Sequence, residues 1–111
     1  MILHKSTIED VDVVELTGRL VVLDAQELRE KIVNIIKDGN GKLVIDMQGV
    51  SFVDSSGLSV FISALKAMEM RQGRLVLSAL TPSVQSLIEL TRLHHIFEIF
   101  LTKEAAIEIL K

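Results

Sequence analysis

The stretch Val50-Ser51-Phe52-Val53-Asp54-Ser55-Ser56-Gly57-Leu58-Ser59-Val60-Phe61-Ile62-Ser63-Ala64-Leu65-Lys66-Ala67-Met68-Glu69-Met70 runs from an apolar strand, through a short polar turn, into a helical pattern. At about 100° per residue, Leu58, Phe61, Ile62, Leu65 and Met68 fall within about 120° of arc, which predicts the core face of a helix over Ser56–Met70. The other side carries Ser59, Ser63 and Met70, with Val60 and Ala67 at its margin. Small hydroxyls and a methionine on a face expected to be charged point to a contact surface. Met68 fits the buried side, whereas Met70 is either a partner contact or a gap-filler at a helix end.

Working outward, Leu43-Val44-Ile45 and Leu75-Val76-Leu77 are short unbroken apolar runs, the pattern of central strands covered on both faces. Before them, Leu28, Ile32, Ile35 and Ile36 recur at helical spacing over Ala25–Lys37, with Asp24 as the expected cap and Gly39-Asn40-Gly41 as the stop. Ile2–Ile8 and Val11–Thr17 flank Glu9-Asp10 as an antiparallel hairpin that Gly18 is expected to end. Pro82 suits the first turn of a helix over Ser83–Thr91, with Thr81 as cap and Val84, Leu87, Ile88 and Thr91 facing inward. A strand near Phe97–Leu101 and a helix over Lys103–Leu110 complete the pattern. The fold class is α/β: one domain over residues 1–111, with a mixed sheet of four to five strands that opens on the hairpin and packs against about four helices.

Composition bounds the function. The chain of 111 residues is 49% hydrophobic, enough for a single domain with its own core and a radius of gyration of about 13 Å. Lys plus Arg number 12 against 15 for Asp plus Glu, a formal charge of -3, which attracts no polyanion and argues against direct nucleic-acid binding. The aromatic residues are all Phe, leaving no Tyr or Trp platform for bases or sugars. With no cysteine there is no disulfide, thiolate chemistry or Cys-bound metal. Met1–Asp10 lacks the apolar core of a signal peptide, and no segment approaches the roughly 20 apolar residues that cross a bilayer. The expectation is a cytoplasmic protein without membrane insertion.

Chemistry concentrates at the predicted helix start. Ser55 and Ser56 stand where backbone N–H groups lack partners and the helix dipole is positive. One reading makes Asp54 or a serine a helix cap. The other displays a serine hydroxyl for covalent modification, with Gly57 leaving room for another protein's backbone. Hydrolytic catalysis lacks support: there is no Gly-x-Ser-x-Gly elbow, and nothing places His4, His94 or His95 near Ser55. The adjacent His94-His95 pair points in different directions and has no further ligand at helical spacing, so no metal is expected. No Gly-rich loop followed by Lys is present, so no nucleotide or other cofactor is expected. Glu27-Leu28-Arg29-Glu30-Lys31 and Lys103-Glu104 read as solvated helix faces.

The block Val50–Leu58, the later Gly73-Arg74-Leu75-Val76-Leu77, and the earlier Leu16-Thr17-Gly18-Arg19-Leu20 and Ala25-Gln26-Glu27-Leu28-Arg29 carry a resemblance over almost the whole chain. In order and spacing they resemble the STAS-domain anti-sigma factor antagonists of bacteria. That resemblance implies phosphorylation of Ser55 by an anti-sigma factor that is itself a serine kinase, and reversal by a metal-dependent serine phosphatase. It also implies that the unphosphorylated form binds the anti-sigma factor and frees a sigma factor, a partner switch controlling transcription without touching DNA. The expected partner surface comprises Asp54, Ser55, Ser56, Gly57, Ser59, Val60, Ser63, Ala67 and Met70. The chain departs from the family pattern at two places: Val21 stands where the Gly-x-Leu-Asp stretch carries Asp, and Ser59 where Gly is common. The alternative is a STAS scaffold or regulatory subunit of a larger assembly, such as a stress-signalling complex or a lipid transporter, with Ser55 only a cap. A phosphate would add about -1.5 to -2 charges, favoured by the helix dipole by roughly 0.3–1 kcal/mol and opposed by Asp54, so the fold is expected to survive it.

Overall fold

Each predicted element is present in the computed structural model, which describes Met1–Lys111. In chain order these are β1 (Ile2–Ile8), β2 (Val11–Leu20), α1 (Val22–Asp38), β3 (Lys42–Val53), α2 (Ser55–Met70), β4 (Arg74–Ser78), α3 (Pro82–Leu90), a 3-10 turn at Leu93–His95, β5 (Glu98–Phe100) and α4 (Lys103–Leu110). The sheet has five strands in the order β1-β2-β3-β4-β5. β1 pairs antiparallel with β2, and every later pair is parallel. The Cα radius of gyration is 12.5 Å.

The two apolar runs are the centre of the sheet. Leu43, Ile45, Leu75 and Leu77 point into the larger core, with α1, α2 and α3 above them, while Val44 and Val76 face a smaller core under α4. That double coverage is why these runs do not alternate with polar residues. Parallel neighbours require crossover connections, so α1, α2 and α3 all begin at the rim where the strands end.

Several boundaries differ from the sequence expectation. β2 does not stop at Gly18 but continues to Leu20, because Gly18 at φ +119 absorbs a shift in the β2–β3 register that a side chain would resist. α1 begins three residues earlier than expected, at Val22, so Asp24 lies in its first turn rather than at its cap. Thr81 occupies the N-cap position of α3 without capping it; its hydroxyl instead donates to the Val50 carbonyl at 2.7 Å. Thr91 is exposed at the end of α3 and folds its hydroxyl back onto the Leu87 carbonyl at 2.8 Å, so it does not join the core.

The buried side of α2 is also broader than periodicity alone predicted. Leu58, Phe61 and Met68 are buried as expected, but Val60 and Ala64 join them while Ile62 and Leu65 remain half-buried. The helix packs on the sheet and alongside α1 at once, which rotates the covered arc toward Val60 and Ala64.

Two polar side chains interrupt the smaller core. Asp46 and Ser78 face each other across β3 and β4, and the Ser78 hydroxyl donates to Asp46 Oδ1 at 2.9 Å. Burial pushes the Asp46 carboxyl up from its ordinary value; the Ser78 bond pulls it down and nearby Glu15 pushes it further up.

Candidate functional site

Because β2 and β3 end side by side, with Leu20 paired to Val53, the chain passes into α1 and α2 at neighbouring points. The Asp54 backbone N–H donates to the Leu20 carbonyl at 3.1 Å and holds these two strand-to-helix corners together. Asp54 then serves both helices. Its Oδ1 accepts from the Gly57 N–H at 2.9 Å, capping α2, and its Oδ2 accepts from the Val22 N–H at 3.1 Å, the first amide of α1. Val21, the N-cap residue of α1, has no side-chain oxygen to offer. Asp54 therefore supplies across the rim one of the acceptors that α1 lacks locally.

This arrangement identifies the cap of α2. Asp54 is the cap, so Ser55 at the first position of α2 is spared that duty. Its side chain is exposed and has no hydrogen-bond partner within the protein. Ser56 is half-buried, and its carbonyl accepts from Ser59 Oγ at 2.6 Å. Ser59 Oγ also accepts from Arg29 Nη2 at 2.9 Å, and Arg29 Nη1 donates to Gln26 Oε1 at 2.9 Å. The hydroxyl that stands at the glycine position of the family pattern thus ties α1 to α2 one turn beyond Ser55.

Two residues expected at the contact surface are not available there. Val60 is 0% exposed, held between α1 and the sheet, and cannot present its side chain to a partner. Gly57 is buried too: a Cβ there would meet Val53 Cγ1 at 2.7 Å and Leu20 Cγ at 2.8 Å, so its missing side chain makes room for β2 and β3 rather than for a visitor. Asp54, Ser56, Ser59, Ser63 and Ala67 are half-buried, Ser55 is exposed, and Met70 is 88% exposed at the far end of α2. Met70 and Ala67 line a shallow groove of about 500 Å³ with Val33, Ile36, Lys37 and Arg71.

Sequence reasoning missed three residues at the starts of α1 and α2. Val22 and Leu23 stand 64% and 91% exposed on the first turn of α1, giving the rim an apolar shoulder. Their signal was the run Val21-Val22-Leu23, apolar residues left over once the helix was started at Ala25. Arg29 was absorbed into a solvated face, and only the approach of α2 shows that it reaches Ser59. The histidines lie elsewhere: His4 is on β1 opposite Glu15, and His94 and His95, expected to point apart, instead bring their rings to 4.1 Å between centroids, tilted by 37°, in the 3-10 turn. No group of three or more His, Asp or Glu side chains gathers as a metal site.

The sequence model of the STAS domain matches residues 3–106. The chain belongs to the STAS domain family. Among relatives of this STAS domain, the anti-sigma-B factor antagonist of Bacillus subtilis (strain 168) is 33% identical over 95 residues, covering 86% of each chain. An anti-sigma factor antagonist from Mycobacterium paratuberculosis superposes with a TM-score of 0.89 at 25% identity, covering 98% of this chain and 92% of that one. The anti-sigma factor antagonist SpoIIAA in its unphosphorylated form has a TM-score of 0.82 at 24% identity, covering 96% and 94%. In this STAS domain the exposed serine, its capping aspartate and the first turns of α1 and α2 form one continuous rim.

Proposed function

We propose that this STAS domain is an anti-sigma factor antagonist that works as a partner switch with Ser55 as its phosphoacceptor. The observation that carries the reading is the division of labour at the start of α2: Asp54 caps the helix, and the neighbouring hydroxyl is exposed and free of any structural bond. The antagonist relatives, one of them above 30% identity, support the same reading. A serine kinase acting as anti-sigma factor moves the γ-phosphoryl group of ATP onto Ser55 Oγ, releasing ADP and the hydroxyl proton. A serine phosphatase hydrolyses the ester and restores the alcohol. The unphosphorylated rim, with Val22, Leu23, Ser55 and Ser59, together with the α2 face that continues through Ser63 to Met70, docks on the anti-sigma factor, which gives up its sigma factor.

The switch acts on binding rather than on folding. A dianion on an exposed first-turn residue is solvated in the free protein, whereas beneath a partner it would be a desolvated charge costing several kcal/mol, and about 1.4 kcal/mol is already tenfold in affinity. No helix of the chain is long and apolar enough to cross a membrane.

The test is capture from the native cytosol with wild-type, Ser55→Ala and Ser55→Asp proteins, followed by mass spectrometry and phosphate mapping. Ser55→Ala should retain a serine kinase that labels purified wild type at Ser55, and Ser55→Asp should bind it at least about tenfold more weakly. Equal capture by both variants, or phosphate mapped only to Ser56, overturns the assignment. Recovery of a transport or stress-complex subunit insensitive to either substitution establishes the scaffold role instead.

A further inference from the structure

Arg29 carries a charge that the protein leaves without a carboxylate. Arg74 grips Glu98 through two hydrogen bonds, and Lys5, Lys31, Lys103 and Lys111 each pair with an acid. Arg19, Lys37, Lys42, Lys66, Arg71 and Arg92, like Arg29, pair with no acid, but of these seven cations only Arg29 hydrogen-bonds a side chain in the first two turns of α2. Arg29 is half-buried between α1 and α2, and both of its acceptors, Gln26 Oε1 and Ser59 Oγ, are neutral. Ser59 Oγ donates in turn to the Ser56 carbonyl, so the hydroxyl and the guanidinium lean over the first turn of α2. Ser55 lies one turn before Ser59 on the same helix face, with about 6 Å between Cβ atoms.

We infer that Arg29 is the counter-charge of the phosphorylated state: with phosphate on Ser55, its guanidinium turns from Ser59 Oγ to the phosphate oxygens. This rests on the reading of Ser55 as the phosphoacceptor. The exchange is favourable because an ionised acceptor makes a hydrogen bond roughly twice as strong as a neutral one, and Ser59 keeps its bond to the Ser56 carbonyl. Nothing in the core has to move. The Asp54 carboxylate, the like charge beside the phosphate, is turned to the amides of Gly57 and Val22 and stays there.

A guanidinium at the phosphate favours the dianion and lowers its second ionisation below the ordinary value of about 6, while Asp54 acts in the opposite direction in every variant. The test is a ³¹P titration of the full chain with phosphoserine installed at position 55 during translation. The midpoint should rise by about half a unit or more in Arg29→Gln, less in Arg29→Lys, and not in Lys66→Gln, which removes the same charge further along α2. Superimposable curves for wild type and Arg29→Gln, or equal rises in Arg29→Gln and Lys66→Gln, overturn the inference. A second measurement needs no variant: the Arg29 guanidinium ¹⁵N–¹H resonances should shift between the unmodified and phosphorylated proteins, and unchanged resonances also overturn it. Because no kinase is involved, the titration stands or falls on Arg29 alone. A Ser55 that is never phosphorylated in cells would defeat the switch and leave this result intact.

Discussion

At Asp54 one carboxylate accepts hydrogen bonds from the starts of two helices, and the two serines after it are freed from capping. Removing a cap costs about 0.5–2 kcal/mol, so Asp54→Ala, which strips both helices, should lower the unfolding free energy by about 1–3 kcal/mol in urea titration. Ser55→Ala, one residue on, should stay within about 0.5 kcal/mol of wild type, as exposed substitutions without partners do. A Ser55→Ala loss as large as that of Asp54→Ala would show that the hydroxyl has a structural role after all. Gly57 completes the contrast: next to an exposed serine, it is a packing residue set by Leu20 and Val53.

At the scale of elements, α1 is the helix whose start depends on another. Val21 has the extended backbone of an N-cap, φ -125 and ψ 177, but no oxygen to accept from the first turn. Val21→Ser should therefore stabilise the protein by about 0.5–1 kcal/mol, read as a higher urea midpoint at unchanged slope. An unchanged midpoint would mean that Asp54 already satisfies this end. The same helix shows what the sequence could reveal. Apolar residues spaced three and four apart gave its body, and α4 falls on the expected Lys103–Leu110, where Thr102 caps it locally through its own hydroxyl. The start of α1 was not legible, because its acceptor arrives from a residue 32 positions away. Val60 was misplaced and Ala64 left unassigned for a related reason: periodicity on one helix cannot say that a second helix lies beside it. The serine and its aspartate were visible as residue types in order, whereas which of them caps was a matter of geometry.

On the scale of the whole molecule, three helices cover one face of the sheet and α4 covers part of the other, where Asp46 is buried against Ser78. Its carboxyl is raised above the ordinary 3.8 by burial, so between that value and the folded one the native state holds a proton that the unfolded chain has released. Stability therefore falls as pH rises through that window. Asp46→Asn keeps an acceptor for the Ser78 hydroxyl without the charge, and should melt above wild type at neutral pH, with the difference vanishing as pH drops through the window. Parallel melting curves across pH would contradict this account. The rim at the starts of α1 and α2 lies away from this pair, beyond the end of β3 at Val53. The shared carboxylate at the rim also has an evolutionary consequence. Any lineage that replaces Asp54 loosens two helices in the same step, whereas the neighbouring alcohol, which bonds to nothing in the fold, can vary without that cost.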